Sequence, residues 1–285
     1  MKIFLAATLF VLTLCGCVSS PPVSQVNNYK KIGVVSLVGE RLTRKHVGFM
    51  VFGNELEVVD VSEWKLDDAF AKVVASSLRE RTSLDVVVVP ASDALRSMFG
   101  SEAAIVARER FVDFASQSQE NSAATGEKVN WWTQSQAKLA KEVADANVDA
   151  LVILAPDMLE DPFYPTNQYV TGLGIYTRRD NDKQGQSVLH IVAMLAVVGK
   201  AGTAVGGGLL MVKVPPGIGY RSYSPLSIRI PIAQARKPVA AMTPGEREKL
   251  RELYLTIPLK STVDRAIAGL FPATPTEGRP RQNAP

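Results

Sequence analysis

Cysteine and histidine are scarce: the chain of 285 residues holds two of each. Two Cys cannot build a disulfide scaffold, and two His leave little for a zinc site of the usual Cys/His type. Also missing are the G-x-S-x-G, H-E-x-x-H and P-loop patterns. Charge of one sign is not in excess: 32 basic against 28 acidic residues give +4. That is far from the basic density of a nucleic-acid binder. No catalytic, cofactor or metal residue is therefore expected, and no nucleic-acid partner. The one enzymatic class left open uses paired carboxylates, which carry no sequence signature. What is present is globular: 46% hydrophobic and 21% charged residues. This composition excludes a wholly disordered chain, a collagen or a coiled-coil rod, and supplies ample material for a core.

The N-terminus carries the most specific signal. Lys2 precedes an apolar run from Ile3 to Leu14. The run has signal-peptide length and is shorter than the roughly 20 residues of a membrane span. It ends in Leu14-Cys15-Gly16-Cys17. This tetrapeptide resembles a bacterial lipobox. The resemblance implies cleavage between Gly16 and Cys17, diacylglycerol on the Cys17 thiol and acylation of the new amino terminus. Several acyl chains anchor where one would hold weakly. Cys15 is the rival acceptor, but Leu14 would then fill a cleavage site that takes a small residue. Val18 follows, where an Asp would imply retention in the inner membrane. The resemblance thus implies an outer-membrane lipoprotein facing the periplasm, palmitate-labelled at Cys17, with no thiol left for redox chemistry.

The expected organisation is a signal peptide over 1–16, a lipidated tether over 17–29, a single α/β domain over 30–271 and a Pro-rich disordered tail over 272–285. Strands are expected at Lys31–Val38, Val47–Phe52 and Glu55–Val61, with Gly53-Asn54 turning a hairpin. Ser62 reads as the cap of a helix to Arg81 whose face is Leu66, Phe70, Val73, Val74 and Leu78. Leu84–Val89 reads as a buried strand. Residues 92–118 read as helical with Ser101 a cap, Thr133–Asn147 as a helix, and Ala150–Leu154 as a second buried strand. Strands separated by helices predict a mixed or parallel sheet covered by helices.

In the second half, Tyr169–Thr177 reads as a strand. Ser187–Val198 and Thr203–Val214 flank the Gly199–Gly202 turn as a long apolar hairpin. Val188–Val212 has span length with one formal charge, Lys200, and Gly202-x-x-x-Gly206 resembles a small-residue packing motif of membrane helices. Its glycines argue against helix, and its two-sided apolar character against a channel-lining strand. A buried hairpin is the expectation, with membrane insertion the alternative. Pro225 and Pro231 confine Ser222–Ile232 to a sheet edge. Thr243-Pro244-Gly245-Glu246 is a capping box, followed by helices to Leu255 and over Leu259–Leu270.

Charge divides along the chain. Cys17–Thr177 carries six more acidic than basic residues, and Arg178–Pro285 nine more basic than acidic. Either the two halves pair internally, or a basic face meets an acidic envelope partner or anionic polymer. Ser62/Lys65 and Ser135/Lys138 match S-x-x-K, but the S-D-N and K-T-G elements of penicillin-binding enzymes are absent, so both read as helix caps and faces. Asp180–Gly185 imitates the start of a calcium loop, yet Ile191 stands where the acid of position twelve belongs. His46 follows two cations, and His190 lies in an apolar strand and reads as core. The element order loosely resembles periplasmic lipoproteins of envelope assembly, among them the curli secretion lipoprotein and activators of penicillin-binding proteins. It implies a non-enzymatic binding or assembly accessory, and no site residue carries over. The alternatives are a cell-wall hydrolase using carboxylates and a secretion or pore subunit inserting the 188–212 hairpin.

Overall fold

A computed structural model describes residues 28–48, 53–101, 103–105, 131–163, 168–178, 186–214, 223–231 and 237–272. The lipobox, the calcium-loop imitation at Asp180–Gly185 and the tail beyond Pro272 lie outside them. The mixed α/β sheet expected from the sequence is present, with eleven strands in order β3-β2-β7-β8-β5-β1-β4 along its main path.

Strand β8 (Gln186–Gly199) is the spine. Its second half pairs with β5 (Ala150–Pro156) on one side and β9 (Ala204–Leu209) on the other. Its first half pairs with β7 (Tyr169–Arg178) and β11 (Tyr223–Pro231). Beyond β5 lie β1 (Lys31–Ser36) and β4 (Asp85–Val88), all three parallel. Beyond β7 lie β2 (Arg41–Val47), parallel to it, and β3 (Glu55–Asp60). Two short strands, β6 (Met158–Glu160) and β10 (Met211–Lys213), add to β7 and β11. Every described side chain from Ser187 to Val198 except half-buried Met194 is buried, which is why this stretch reads as continuously apolar.

Helices cover both faces of the β4-β1-β5 half. Helix α1 (Leu66–Arg81) packs Phe70, Val74 and Leu78 on Ile32, Val34 and Val152. The last two helices, α4 (Pro244–Thr256) and α5 (Leu259–Leu270), join the same core. On the opposite face α3 (Trp131–Asp145) sets Leu139 and Val143 against Leu151 and Ile153. Between them runs α2 (Asp93–Leu95), continued by a π turn over Arg96–Gly100 that presses Phe99 edge-on to Trp131.

Several boundaries differ from the sequence reading. The partner of Glu55–Asp60 is Arg41–Val47, not Val47–Phe52. RLTRKHV looks polar, but Arg44 stands across from Glu57 and close to Glu55, so its charge is met within the hairpin. Ser62 does not cap α1. A 3₁₀ turn over Ser62–Trp64 intervenes, and Lys65, at φ 53°, begins the helix. The helix expected over 92–118 starts on Ser92, whose Oγ accepts from Leu95 N, and breaks after Gly100. Ser101 caps a new start by accepting from Ala104 N. Strand β4 ends the sheet rather than lying inside it, and Val88 is exposed. The second hairpin arm is half-open: β9 stays partly exposed, and the chain then leaves β8 to pair as β10 with β11.

The capping box forms as expected. Thr243 Oγ1 accepts from Glu246 N, and Glu246 Oε2 accepts from Thr243 N at 2.7 Å. Lys237 reinforces that carboxylate and, with the cap, holds its pKa at about 2.

Candidate functional site: a cleft at the carboxyl ends of β1 and β5

The chain leaves β1 through β2, β3 and α1 before returning as β4, and α3 then delivers β5 to the other side of β1. Helices α1 and α3 lie on opposite faces, so β1 and β5 diverge at a topological switch point. In open α/β sheets the crevice outside the strand carboxyl ends at such a point is where ligands bind. Here it is a cleft of about 570 Å³. Leu37 and Val38 after β1 and Pro156 at the end of β5 line it, together with Thr43 and Lys45 of β2 and Leu56 and Val58 of β3. Arg96 and Ile105 from the segment after β4, Met158 of β6, and Tyr169 and Gly172 of β7 complete the lining.

Its lining joins exposed apolar side chains with three cations. Leu56, Val58 and Tyr169 are 63%, 44% and 51% exposed. Five of the seven large apolar residues exposed among the described residues line one of two clefts, three here and two in a second groove. Arg41, Lys45 and Arg96 bring positive charge. Lys45 Nζ donates to Tyr169 O at 2.7 Å, and Arg96 Nε to Glu40 Oε1 at 2.6 Å. Glu40 is the single carboxylate among the described lining residues, and that ion pair holds it.

Beside Val38, Asp67 occupies the first turn of α1. Its Oδ1 accepts from Ser36 Oγ at 2.6 Å, Val38 N at 2.8 Å and Gly39 N at 2.9 Å. Burial pushes this carboxyl above its usual range against the pull of those donors. Backbone N–H groups at a strand end facing a helix N-terminus are the usual seat of a bound anion. Here a side chain of the protein fills that seat.

On β7 and β8, on the same sheet face as Thr43, Lys45, Leu56 and Val58, lies a buried polar group of residues. Tyr176 Oη donates to Asp161, and Asp161 Oδ1 accepts from Phe163 N at 2.9 Å. His190 stands directly across from Gly174, and a Cβ on Gly174 would overlap its ring. The core reading of His190 holds: it is 1% exposed and its Nδ1 is buried without a partner. Burial, aided by the charge of Lys45, lowers its pKa to about 4, although a hydrogen bond to the Gly172 backbone pulls the other way. The folded state thus resists a proton that the unfolded chain accepts near 6.5. Stability is complete above pH 6.5 and falls as the pH drops toward 4, by about 3 kcal/mol from this residue. Urea midpoints at pH 7 and pH 4.5 should therefore converge in His190→Gln relative to wild type. Parallel pH dependences in the two proteins would contradict this.

The remaining sequence candidates do not assemble. His46 faces Glu55 and Thr177 across β2. Ser135 is buried on α3 while Lys138 on the same helix is exposed, and Lys65 is exposed beside Ser62. Gly202 and Gly206 are not a helix-packing pair: the first is a turn residue at φ 74° and the second lies in β9. Of the two readings of the charge division, internal pairing has direct examples. Lys200 meets Asp149, Arg247 meets Glu63 and Lys260 meets Glu80. None of the cleft residues stood out in the sequence. A signal exists for two of them: the alternation in ELEVVD puts Leu56 and Val58 on one face and Glu55 and Glu57 on the other.

No protein-family model matches the chain, and no curated protein sequence matches it. Solved structures similar to it at low levels include two that it covers over most of their length. One is a dodecamer of a PelC point variant from Paraburkholderia phytofirmans, 10% identical, with 88% of this chain and 92% of that chain covered at a TM-score of 0.29. The other is the lipoprotein GNA1162 from Neisseria meningitidis, 13% identical, with 79% and 95% covered at a TM-score of 0.20. Likeness of this size carries no functional argument, so the reading of function rests on the residues themselves.

Proposed function

We propose that the chain is an envelope lipoprotein, anchored to the outer membrane through Cys17 and facing the periplasm. Its domain binds a partner as an assembly accessory and transforms no substrate. The observation that carries the binding role is the convergence of exposed Leu56, Val58 and Tyr169 with Arg41, Lys45 and Arg96 on one cleft. Exposed apolar surface rimmed by charge is what a docking surface presents, and aromatic and Arg side chains are its usual anchors. The hydrolase alternative needs two facing carboxylates, and the described lining offers one. Against the pore alternative stands the burial of β8.

Two measurements test this reading. Cys17→Ser should abolish palmitate incorporation and leave the precursor uncleaved; label retained in the variant contradicts the anchor. A photo-cross-linking amino acid at position 169 should trap a discrete adduct in intact envelopes, while one at exposed Leu255, outside both clefts, should not. Adducts of equal yield at both positions contradict the docking surface.

A further inference from the structure

A second groove, of about 600 Å³, opens between α5 and the β9–β10 segment. Its size is that of a pocket for one small ligand. The floor is Leu195, Leu210 and Leu270, all buried. Above them Leu209 and Tyr223 stay 40% and 47% exposed, although both border an apolar trough that would bury them if filled. The groove exists because β9 leaves β8 at Leu209 and the chain pairs onward with β11, so the strand no longer closes against α5. Gly269 adds room: a Cβ placed there meets nothing within 4 Å.

Charge decides the occupant. The described lining carries two cations, Lys213 and Arg265, and no carboxylate. Among the described residues no acidic group pairs with either, and the nearby Asp264 is engaged by Lys260. An apolar trough with two unmatched cations fits a ligand that is apolar along its length and anionic at one end. We propose that this groove binds a single-chain anionic amphiphile of the fatty-acid class. The carboxylate meets Lys213 and Arg265, and the chain runs between Met211 and Ala266 over the leucine floor. The site is separate from the switch-point cleft and does not depend on the lipid at Cys17, whose acyl groups carry no anionic end.

The test is photolabelling of the full-length protein in phosphatidylcholine vesicles with a diazirine-bearing palmitic acid, followed by mass-spectrometric mapping. Label should concentrate on peptides holding 209–213 and 262–270. The uncharged alcohol of the same chain should label them at least tenfold less. Gly269→Leu fills the groove with a better helix former, so it should cut the label tenfold or more with an unchanged or higher melting temperature. The double change Lys213→Glu, Arg265→Glu should remove the preference for acid over alcohol. Equal labelling by the alcohol, label spread evenly along the chain, or full labelling of a folded Gly269→Leu protein would overturn the proposal. A groove filled by residues 273–285 or by a second copy would leave these peptides unlabelled, which also overturns it.

Discussion

Leu195→Asp is expected to abolish cooperative unfolding, while Leu209→Asp, in the facing arm of the same hairpin, is expected to be nearly silent. Both leucines sit in runs that look alike in sequence. Leu195 is 0% exposed, pairs with Leu154 on one side and Gly208 on the other, and lies in the main core. A carboxylate there has no partner, so it is forced to take up a proton or stay charged without solvent. That cost, added to the lost leucine contacts, consumes most of the roughly 5–15 kcal/mol that holds a typical domain folded. Even Leu195→Ala should cost about 2–5 kcal/mol. Leu209 is 40% exposed at the lip of the groove. An Asp there remains hydrated, and the change should stay within about 1 kcal/mol. Thermal melts of the full chain distinguish the two. Equal collapse of both variants would mean that β9 is closed over in solution, and normal melting of Leu195→Asp would return the hairpin to the membrane reading.

Gly202→Ala should be as damaging as a large core deletion, although it adds one methyl group. Gly202 turns the chain from β8 to β9 at φ 74°, where an L side chain is strained by about 1 kcal/mol or more. The turn also lies on α3. A Cβ at this position would overlap the carbonyl oxygen of Gln136 and come within 2.7 Å of Ala140 N. These are backbone atoms of a helix and cannot step aside as a side-chain tip could. Gln136 Nε2 donates to Ala201 O at 3.1 Å, so the contact is built into the junction. Relief requires the turn to lift off α3, which opens the core around Leu139 and Val198. A loss of several kcal/mol is expected, within the range for overpacking combined with strain. Gly269→Ala, at an exposed position of α5 where a Cβ meets nothing within 4 Å, is the control and should leave the melting temperature unchanged or higher. A Gly202→Ala protein that melts with the wild type would mean the turn does not rest on the helix.

The contrast between those two leucines shows where sequence reading stops. The long run of β8, the all-buried ALVIL strand, the capping box at Thr243 and the α1 face were legible because each is set by local periodicity or by a side chain reaching its own backbone. The partner of β3 was not. Its identity depends on Arg44 meeting Glu55 and Glu57, a pairing across strands that turns a polar-looking segment into a half-buried one. Ser62 has the right chemistry for a cap, so the sequence points to a start of α1 three residues before the observed one. Yet Asp60 Oδ1 accepts from Ser62 N at 2.8 Å, within a turn that comes first.

The sequence by itself determined the α/β class, the helix-covered sheet and the apolar hairpin, because burial on both faces leaves a pattern in residue type alone. It also carried the lipobox resemblance at Cys17, which is a matter of order along the chain. Only the tertiary structure decided which arm of the hairpin is core and which is rim, and that cations of the second half reach carboxylates of the first. It alone decided that Leu56, Val58, Tyr169 and Arg96 share one cleft. Leu56 and Val58 share one strand, but Arg96 and Tyr169 lie far from them in sequence, and what joins the four is the order β3-β2-β7 together with the turn after β4 that carries Arg96. That geometry is set by long-range strand pairing, and no local pattern encodes it.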